Sequence, residues 1–324
     1  MSGLAASYIW LNGRLAPSEA EHISVYDRGF QLGDGVFEAF RARRGVAIEL
    51  DGHLARLHAS MAAMAFDIPF DDEDIEAGIE ELLAAEGLDE PEPLEPVDPN
   101  ERTAEDEPRP GDAVLRLTVS RGFDPTRGVQ PNSDKLPTVA IQAWPYTPPS
   151  PRVLAAGERL ISSCIHRDPE SPMAGIKTIS RADLVYARIE AERAGADDAI
   201  FLTVDGRIAE ATTANVLVID GDRCATPRLG TGLLAGTTRA WLVEHGAAAG
   251  LSMEQRDLRL EDAFAADEMA ICASIGGVLP VTSLDGHVIG DGRPGPRTMA
   301  LRAARERWIE EVSIAGARER LTPR

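Results

Sequence analysis

The sequence predicts two α+β domains of similar size, and three observations lead to this prediction. The chain has 324 residues, which at about 150 residues per domain suggests two domains. Asp-Gly pairs separate short strand patterns, as in hairpins, and helical patterns alternate with them. A stretch with four prolines, residues 145–151, lies near the middle of the chain. We therefore expect an N-terminal domain over residues 1–145, a linker over 146–158 and a C-terminal domain over 159–324.

The N-terminal half combines strands with two helices. Leu54, Leu57 and Met61 follow the 3, 4 spacing of an apolar helical face, which predicts a helix over 53–66. A second, acidic helix is predicted over 75–86, and strands over 8–11, 36–41, 46–50, 113–120 and 138–143. Residues 89–111 contain six prolines and few apolar residues. This composition is typical of a flexible insert.

The C-terminal half contains more hairpin signals. Asp205-Gly206 and Asp220-Gly221 each separate two strand patterns. Strands are predicted over 159–164, 199–204, 207–211, 215–219, 222–225 and 268–272, and helices over 184–193, 238–249 and 297–311. No Gly-x-Gly-x-x-Gly follows a strand, which excludes a dinucleotide-binding fold.

Charge excludes several classes of function. The net charge is −20, so neither nucleic acid nor an anionic membrane is an expected partner. Residues 71–112 hold 18 acidic and 2 basic side chains, a net of −16, so the rest of the chain carries only −4. Of the 33 basic residues only two are lysines, Lys135 and Lys177, and neither follows a glycine. A Walker A phosphate loop is therefore excluded.

Cysteine and histidine spacing argues against a metal site. The three cysteines are far apart and form no CxxC pair, and the six histidines form no HExxH pattern. Isolated cysteines indicate a reducing compartment. The first residues lack a basic start and a long apolar run. We therefore expect a cytoplasmic protein without metal.

Two side chains suggest covalent chemistry with a charged partner. Lys177 lies in Gly-Ile-Lys-Thr just before a helix, with an apolar neighbour and no adjacent acid. Desolvation would lower its pKa and free the amine as a nucleophile. Glu210 lies on a hairpin strand among small and apolar neighbours, and a buried carboxylate there needs a partner.

An anion site is predicted where another helix begins. Thr237 and Thr238 follow Gly236 at a predicted helix start, where free N–H groups and the helix dipole favour an anion. Arg56 could add a fixed positive charge. The segment from Cys272 to Val281 includes Gly276-Gly277, and paired glycines permit close approach of the backbone to a ligand.

These pieces together resemble one family. In order they read VYDRGFQLGDGVFEAF, HLARL, GIK, EATTANV, GTTR and SIGGVLPVTSLDG. The chain resembles the class IV aminotransferases, the pyridoxal-phosphate enzymes of fold type IV, from about Tyr8 to Trp308. That family includes branched-chain and D-amino-acid aminotransferases, (R)-amine transaminases and aminodeoxychorismate lyase. The resemblance implies two α/β domains with the cofactor between them.

The resemblance also implies a role for each motif residue. Lys177 matches the lysine that forms a Schiff base with pyridoxal 5′-phosphate, and Glu210 matches the carboxylate facing the pyridine nitrogen. Arg56 matches the phosphate-binding arginine. The remaining cofactor positions are Thr237, Thr238, Ser274 and Ile275, with a serine where many members have threonine.

Substrate recognition is implied for Phe37, Arg127 and Gly276. Arg127 matches the arginine that holds the substrate carboxylate in D-amino-acid enzymes, but Val129 stands where those enzymes have histidine. Phe37 is shared with branched-chain enzymes, and the glycine pair is similar to (R)-amine transaminases. The expected substrates are therefore an amino acid of the branched-chain or D-amino-acid type, or an (R)-amine, together with a 2-oxo acid.

Aminodeoxychorismate lyase, which eliminates pyruvate to give 4-aminobenzoate, is the alternative. Enteric lyases have threonine where this chain has Glu38, and that difference favours a transaminase. The resemblance further implies a homodimer in which the loop bearing Arg127 reaches the partner's pocket.

Overall fold

The structure is a computed structural model that describes residues 6–89, 111–126, 128–131 and 136–321. Most of the predicted insert over 89–111 lies outside the described residues, as do Arg127 and Lys135. In the described ranges no helix is long and apolar enough to cross a bilayer.

The first half forms a six-stranded sheet in which every described pairing is antiparallel. The strands lie side by side in the order β2-β1-β6-β5-β3-β4. They are β1 (Tyr8–Leu11), β2 (Arg14–Pro17), β3 (Gly35–Arg43), β4 (Val46–Ala47), β5 (Asp112–Ser120) and β6 (Thr138–Pro145). The helices of this half are α1 (Arg28–Leu32), α2 (Leu50–Ala63) and α3 (Asp72–Ala85).

The second half forms a nine-stranded mixed sheet. Its main path runs β12-β11-β10-β13-β14-β7-β8-β9, with β15 paired to β14. The strands are β7 (Glu158–Arg167), β8 (Asp198–Thr203), β9 (Ile208–Ala211), β10 (Asn215–Asp220), β11 (Arg223–Pro227), β12 (Ser252–Arg256), β13 (Glu268–Ala273), β14 (Gly277–Leu284) and β15 (His287–Val288). The helices are α4 (Pro151–Ala156), α5 (Ala182–Ala194), α6 (Thr237–His245), α7 (Leu260–Phe264) and α8 (Pro296–Leu321). The α+β class predicted from the sequence is therefore confirmed.

The strands of the first sheet divide their side chains between two faces, because neighbouring residues point in opposite directions. Phe40 of β3 and Leu115 of β5 join the apolar core beneath α2 and α3. Phe37 and Arg116, from the alternate positions, line a cavity instead. This alternation separates the core of the first half from the functional cavity.

Helix α2 begins earlier than the sequence predicts. Its first residue is Leu50 rather than His53, and β4 ends at Ala47, so the predicted strand over 46–50 is wrong at its end. Glu49 has a left-handed backbone conformation with φ 56°, which ends the extended chain. Its carboxylate also accepts a hydrogen bond from Arg305 of α8, at 3.2 Å, a tertiary contact that local sequence does not reveal.

Buried ion pairs attach the C-terminal helix to the first sheet. Arg41 of β3 lies 3.0 Å from Glu306 of α8, and Arg44 lies 2.6 Å from Glu310. Arg302 of the same helix donates to the carbonyl of Val278 in the second sheet, at 2.9 Å. Helix α8 therefore contacts both sheets and links them.

Candidate active site

A cavity of about 640 Å³ lies between the two sheets. The first half contributes Phe37, Arg56 and Arg116 to its lining, and the second half contributes Lys177, Glu210 and several loop residues. The predicted site residues that line it are Phe37, Arg56, Lys177, Glu210, Thr238, Ser274, Ile275 and Gly276. The structure therefore brings together side chains that are up to about 240 positions apart in the sequence.

Lys177 is held by pairing of its loop with β3. The amide of Phe37 donates to the Lys177 carbonyl at 3.0 Å, and the amide of Ile179 donates to the Gly35 carbonyl at 3.0 Å. The amine Nζ lies 4.7 Å from the centre of the Phe37 ring. Burial, reinforced by the charge of Arg56, lowers the pKa of Lys177 to about 8. About a tenth of the amine is therefore neutral and nucleophilic at pH 7, far more than for an ordinary lysine.

Glu210 faces the same cavity from β9. Its Oε2 accepts a hydrogen bond from the Leu234 amide at 3.0 Å, and its Oε1 lies 3.7 Å from Arg167 Nη2. Arg167 is itself paired with Asp183 and stacks on Phe201. Burial raises the pKa of Glu210 above its ordinary value. A cationic group in the cavity would therefore be a favourable partner for this carboxylate.

The start of α6, with Gly236, Thr237 and Thr238, and the neighbouring Ser274 form a candidate oxyanion cradle. Gly236 precedes the helix, and a side chain there would collide with Asn215, whose Oδ1 would lie 2.0 Å from the added Cβ. The first N–H groups of a helix have no intrahelical partner. The hydroxyl of Thr238 is buried and has no hydrogen-bond partner among the described residues. Thr237 Oγ1 lies 3.0 Å from Ser274 Oγ. Free amides and hydroxyls in this arrangement fit a phosphate group.

Arg56 lies beside this cradle, but a carboxylate already balances its charge. Its Nε and Nη2 donate to the two oxygens of Glu38 at 2.7 and 2.6 Å, and Nη1 donates to the Ala235 carbonyl at 2.8 Å. Glu38 is fully buried and also lies 2.7 Å from Nδ1 of His53. Burial pushes the pKa of Glu38 upward, but the hydrogen bonds from Arg56 and His53 hold it below its ordinary value.

Sequence reasoning missed His53 as a site residue. His53 and Arg56 are three residues apart on α2, so they share one helical face, and that face packs against Glu38 and Phe40 on the core side of β3. The three-residue spacing of His53 and Arg56 is visible in the sequence and indicates that both side chains lie on one face of the helix. The partner carboxylate, however, becomes apparent only when the helix is packed on the sheet.

Two further arginines near Phe37 were also missed. The guanidinium carbons of Arg116 and Arg181 lie 4.1 and 5.0 Å from the centre of the Phe37 ring. Both side chains line the cavity, and among the described residues neither forms an ion pair. Arg116 donates one hydrogen bond, to Thr118, at 3.1 Å. The cavity therefore has positive charge available for an anionic substrate.

The turn between β13 and β14 closes the cavity. Ser274, Ile275 and Gly276 line it, and Arg302 supports the turn by donating to the Gly276 carbonyl at 3.1 Å. Gly277 has a φ of 68°, a conformation that glycine adopts readily. The glycine pair thus allows the turn to approach the cavity closely.

The family model for amino-transferase class IV matches residues 35–284, which include every described site residue. D-alanine aminotransferase of Bacillus licheniformis is 30% identical over 301 residues, covering 93% of this chain and 96% of the relative. Aminodeoxychorismate lyase of Bacillus subtilis is 27% identical over 304 residues, covering 94% and 95%.

A solved structure shows the same fold. The branched-chain amino acid aminotransferase of T.th. with pyridoxamine 5′-phosphate superposes with a TM-score of 0.84 at 24% identity, over 95% of each chain. This likeness confirms the fold that the sequence resemblance implied, and the family match confirms the enzyme class. The chain therefore belongs to the class IV aminotransferase family.

Proposed function

We propose that the chain transfers an amino group between an amino acid and a 2-oxo acid, with Lys177 as the covalent attachment point and proton carrier. One observation carries this proposal: a partly buried lysine with a lowered pKa, a partly buried carboxylate and an oxyanion cradle all line one cavity. These are the three groups that a phosphorylated pyridine aldehyde requires of a protein.

When bound, pyridoxal 5′-phosphate supplies an aldehyde that condenses with amines and a ring that withdraws electrons from the substrate Cα. The residues proposed to hold its phosphate are Thr237, Thr238, Ser274 and Arg56, with Ile275 beside them. Glu210 would accept a hydrogen bond from the protonated ring nitrogen and so maintain its positive charge. Lys177 Nζ would remove the proton from the substrate Cα. The same amine would then donate a proton to complete the amino-group transfer.

The arginines around Phe37 support a substrate that carries a carboxylate. We propose that Arg116 and Arg181 hold carboxylates of the amino acid and of the 2-oxo acid, with Gly276 allowing the backbone to approach the substrate. Arg127, which lies outside the described residues, stays a proposed carboxylate ligand on the basis of the sequence resemblance.

Arg116→Ala should reduce kcat/KM for amino acids by about 30–150-fold, because a charge-assisted contact of about 2–3 kcal/mol is lost. The loss should be much smaller for amines that lack a carboxylate. Arg127→Ala should show the same pattern, and the two variants are measured in parallel. Arg188→Ala is the matched control, since Arg188 lines the cavity but pairs with Asp198 at 3.1 Å. Equal losses with amino acids and amines would refute the role of Arg116.

The lyase alternative is tested with the same enzyme. The catalytic core serves both reactions, because elimination also begins with removal of the Cα proton. In the structure, Glu38 is bound to Arg56 and His53, so a threonine would leave those groups without their carboxylate. Turnover of aminodeoxychorismate to 4-aminobenzoate, with no half-reaction on any amino acid, would refute the proposed transamination.

We also propose a homodimer and a cytoplasmic location. Large apolar side chains are exposed on two adjoining segments, α1 and the loop after β5. Among them are Phe30, which is 75% exposed, and Val129, which is 82% exposed. Arg28 joins the segments by donating to the Val129 carbonyl at 2.8 Å. Exposed apolar surface of this kind supports a subunit interface. The three cysteines are free thiols, which supports a reducing compartment.

Phe30→Glu should convert a dimer into a monomer of 34.8 kDa, because it places a charge in the proposed interface. Sedimentation velocity measures the change, and activity should fall with it if Arg127 acts in the partner's pocket. Val288→Glu is the control. Val288 is also an apolar residue that is 55% exposed, but it lies on β15 and in neither segment of the proposed interface. A wild-type protein that sediments as a fully active monomer would contradict the proposal.

A further inference from the structure

A chain of polar side chains connects the core of the first half to the proposed phosphate cradle. Glu38 lies 2.7 Å from His53 Nδ1, and His53 Nε2 lies 3.4 Å from Thr237 Oγ1. Thr237 Oγ1 in turn lies 3.0 Å from Ser274 Oγ. His53 is fully buried. It is therefore the link between a buried carboxylate and two hydroxyls at the anion site.

The directions of these hydrogen bonds follow from the chemistry of the groups. Glu38 has a lowered pKa, so it is ionised and can only accept, which assigns a proton to Nδ1 of His53. In neutral His53 the second nitrogen, Nε2, must then accept the Thr237 hydroxyl proton. Thr237 in turn accepts the Ser274 proton. In this state both hydroxyl hydrogens point away from an anion.

Protonation of His53 reverses this chain. An imidazolium donates from both nitrogens, so Nε2–H donates to Thr237. Thr237 can then donate to Ser274, which leaves the Ser274 hydrogen free for an anion. A phosphate needs such donors, because its oxygens only accept once it is fully ionised. Neutral His53 therefore disfavours phosphate binding, and protonated His53 favours it.

The charge balance leads to the same conclusion. Arg56 lies beside the cradle, but Glu38 takes two of its hydrogen bonds. The pair is therefore nearly neutral. A phosphate carries a charge near −2 at neutral pH. An imidazolium at His53 would supply positive charge that the Arg56–Glu38 pair does not.

We propose that His53 takes up a proton when the cofactor phosphate binds and thereby turns Ser274, acting through Thr237, into a donor toward that phosphate. His53 is in this sense a positioning residue that acts through two hydroxyls. The inference rests on the proposed cofactor site at the start of α6, and it adds a proton-linked step to binding.

Three charged groups act on His53, and they come from different elements. Glu38 on β3 favours the imidazolium, Arg56 on α2 opposes it, and Glu49 just before α2 favours it, although Glu49 is paired with Arg305. Burial is the largest influence and lowers the pKa of His53 below its ordinary value. Without phosphate the imidazole is therefore neutral at pH 8. A bound dianion would raise the pKa.

The first test measures proton uptake by calorimetry. Apoenzyme is titrated with pyridoxamine 5′-phosphate at pH 8 in buffers of different ionisation enthalpy. This ligand is used because it forms no covalent bond with Lys177. We expect wild type to take up between about 0.5 and 1 more proton than His53→Gln, because glutamine cannot titrate. Other protons exchanged on binding are common to both proteins and cancel. Equal uptake by the two proteins would overturn the proposal.

The phosphate dependence is tested with pyridoxamine as the ligand. Without the phosphate, wild type and His53→Gln should take up the same number of protons. The affinity of wild type for pyridoxamine 5′-phosphate should also fall more steeply with rising pH than that of His53→Gln, by up to about tenfold per pH unit. A difference in proton uptake that persists with pyridoxamine would overturn the link to phosphate.

The second test needs no variant at position 53. In wild type labelled with ¹⁵N-histidine, the Nε2 signal of His53 should move from the unprotonated to the protonated range when pyridoxamine 5′-phosphate is added at pH 8. The signal is assigned by replacing the other histidines in turn. A signal that stays unprotonated in the complex would overturn the relay while leaving the cofactor site intact. Failure of wild type to bind the ligand would overturn the proposed cofactor site, and the relay with it.

Discussion

Lys177→Ala should lose all covalent capture of pyridoxal 5′-phosphate and about 10²–10⁴-fold or more of its transamination rate. The rate loss reflects removal of the general base, and the loss of capture reflects removal of the only amine on the cavity wall among the described residues. Borohydride reduction followed by denaturation measures the covalent cofactor, and single-turnover kinetics measure the rate.

Lys135→Ala is the matched control, because Lys135 is the other lysine of the chain. It should keep the cofactor spectrum and the rate of wild type. Covalent cofactor in reduced Lys177→Ala would end the assignment of Lys177. Circular dichroism shows whether the two variants are folded. Loss of capture and activity in a folded Lys177→Ala variant then reflects the missing amine.

The pH dependence of capture follows from the surroundings of Lys177. Burial and Arg56 lower its pKa to about 8, so the neutral amine increases as the pH rises through that value. The rate at which apoenzyme captures pyridoxal 5′-phosphate should therefore rise with an apparent titration near pH 8. An ordinary lysine would titrate near 10.4.

Local patterns identified several residues of the proposed site as candidates, and the resemblance to the class IV aminotransferases assigned their roles. Lys177 is one of two lysines, Glu210 lies on a hairpin strand with small neighbours, and Thr237 follows a glycine at a helix start. Each feature reflects the local backbone and needs no knowledge of distant contacts. The hairpins of the second half could be found for the same reason, since glycine beside aspartate favours a tight turn by itself. In the second hairpin the turn residues are Gly221 and Asp222, one position later than predicted.

The groups that were missed depend on contacts between distant segments. Arg116 faces the cavity because β5 pairs with β3 in a register that places it opposite Ala39. His53 meets Glu38 only when α2 packs on β3. The sequence suggests a free positive charge at Arg56, but the carboxylate partner of this arginine lies 18 positions away on another element. Sequence spacing indicates which face a residue occupies, but not which side chain faces it.

Glu210→Gln should lower kcat by about 10²–10³-fold, by analogy with the loss of one preorganised charged or donor group at a developing charge. Glutamine keeps the shape and can still accept the Leu234 amide, but it carries no negative charge to balance a protonated ring nitrogen. The electron withdrawal that lets Lys177 take the Cα proton should therefore weaken. Stopped-flow half-reactions with an amino acid measure this effect.

Covalent capture by Lys177 should survive in Glu210→Gln, which separates this variant from Lys177→Ala. Glu158→Gln is the control, because Glu158 also lines the cavity and burial likewise raises its pKa, yet it has no proposed role. It should change kcat by less than a few-fold. If Glu210→Gln retained the wild-type half-reaction rate, the negative charge of Glu210 would not be needed. The chemistry would then depend on the oxyanion cradle and Lys177 without a charged partner for the ring.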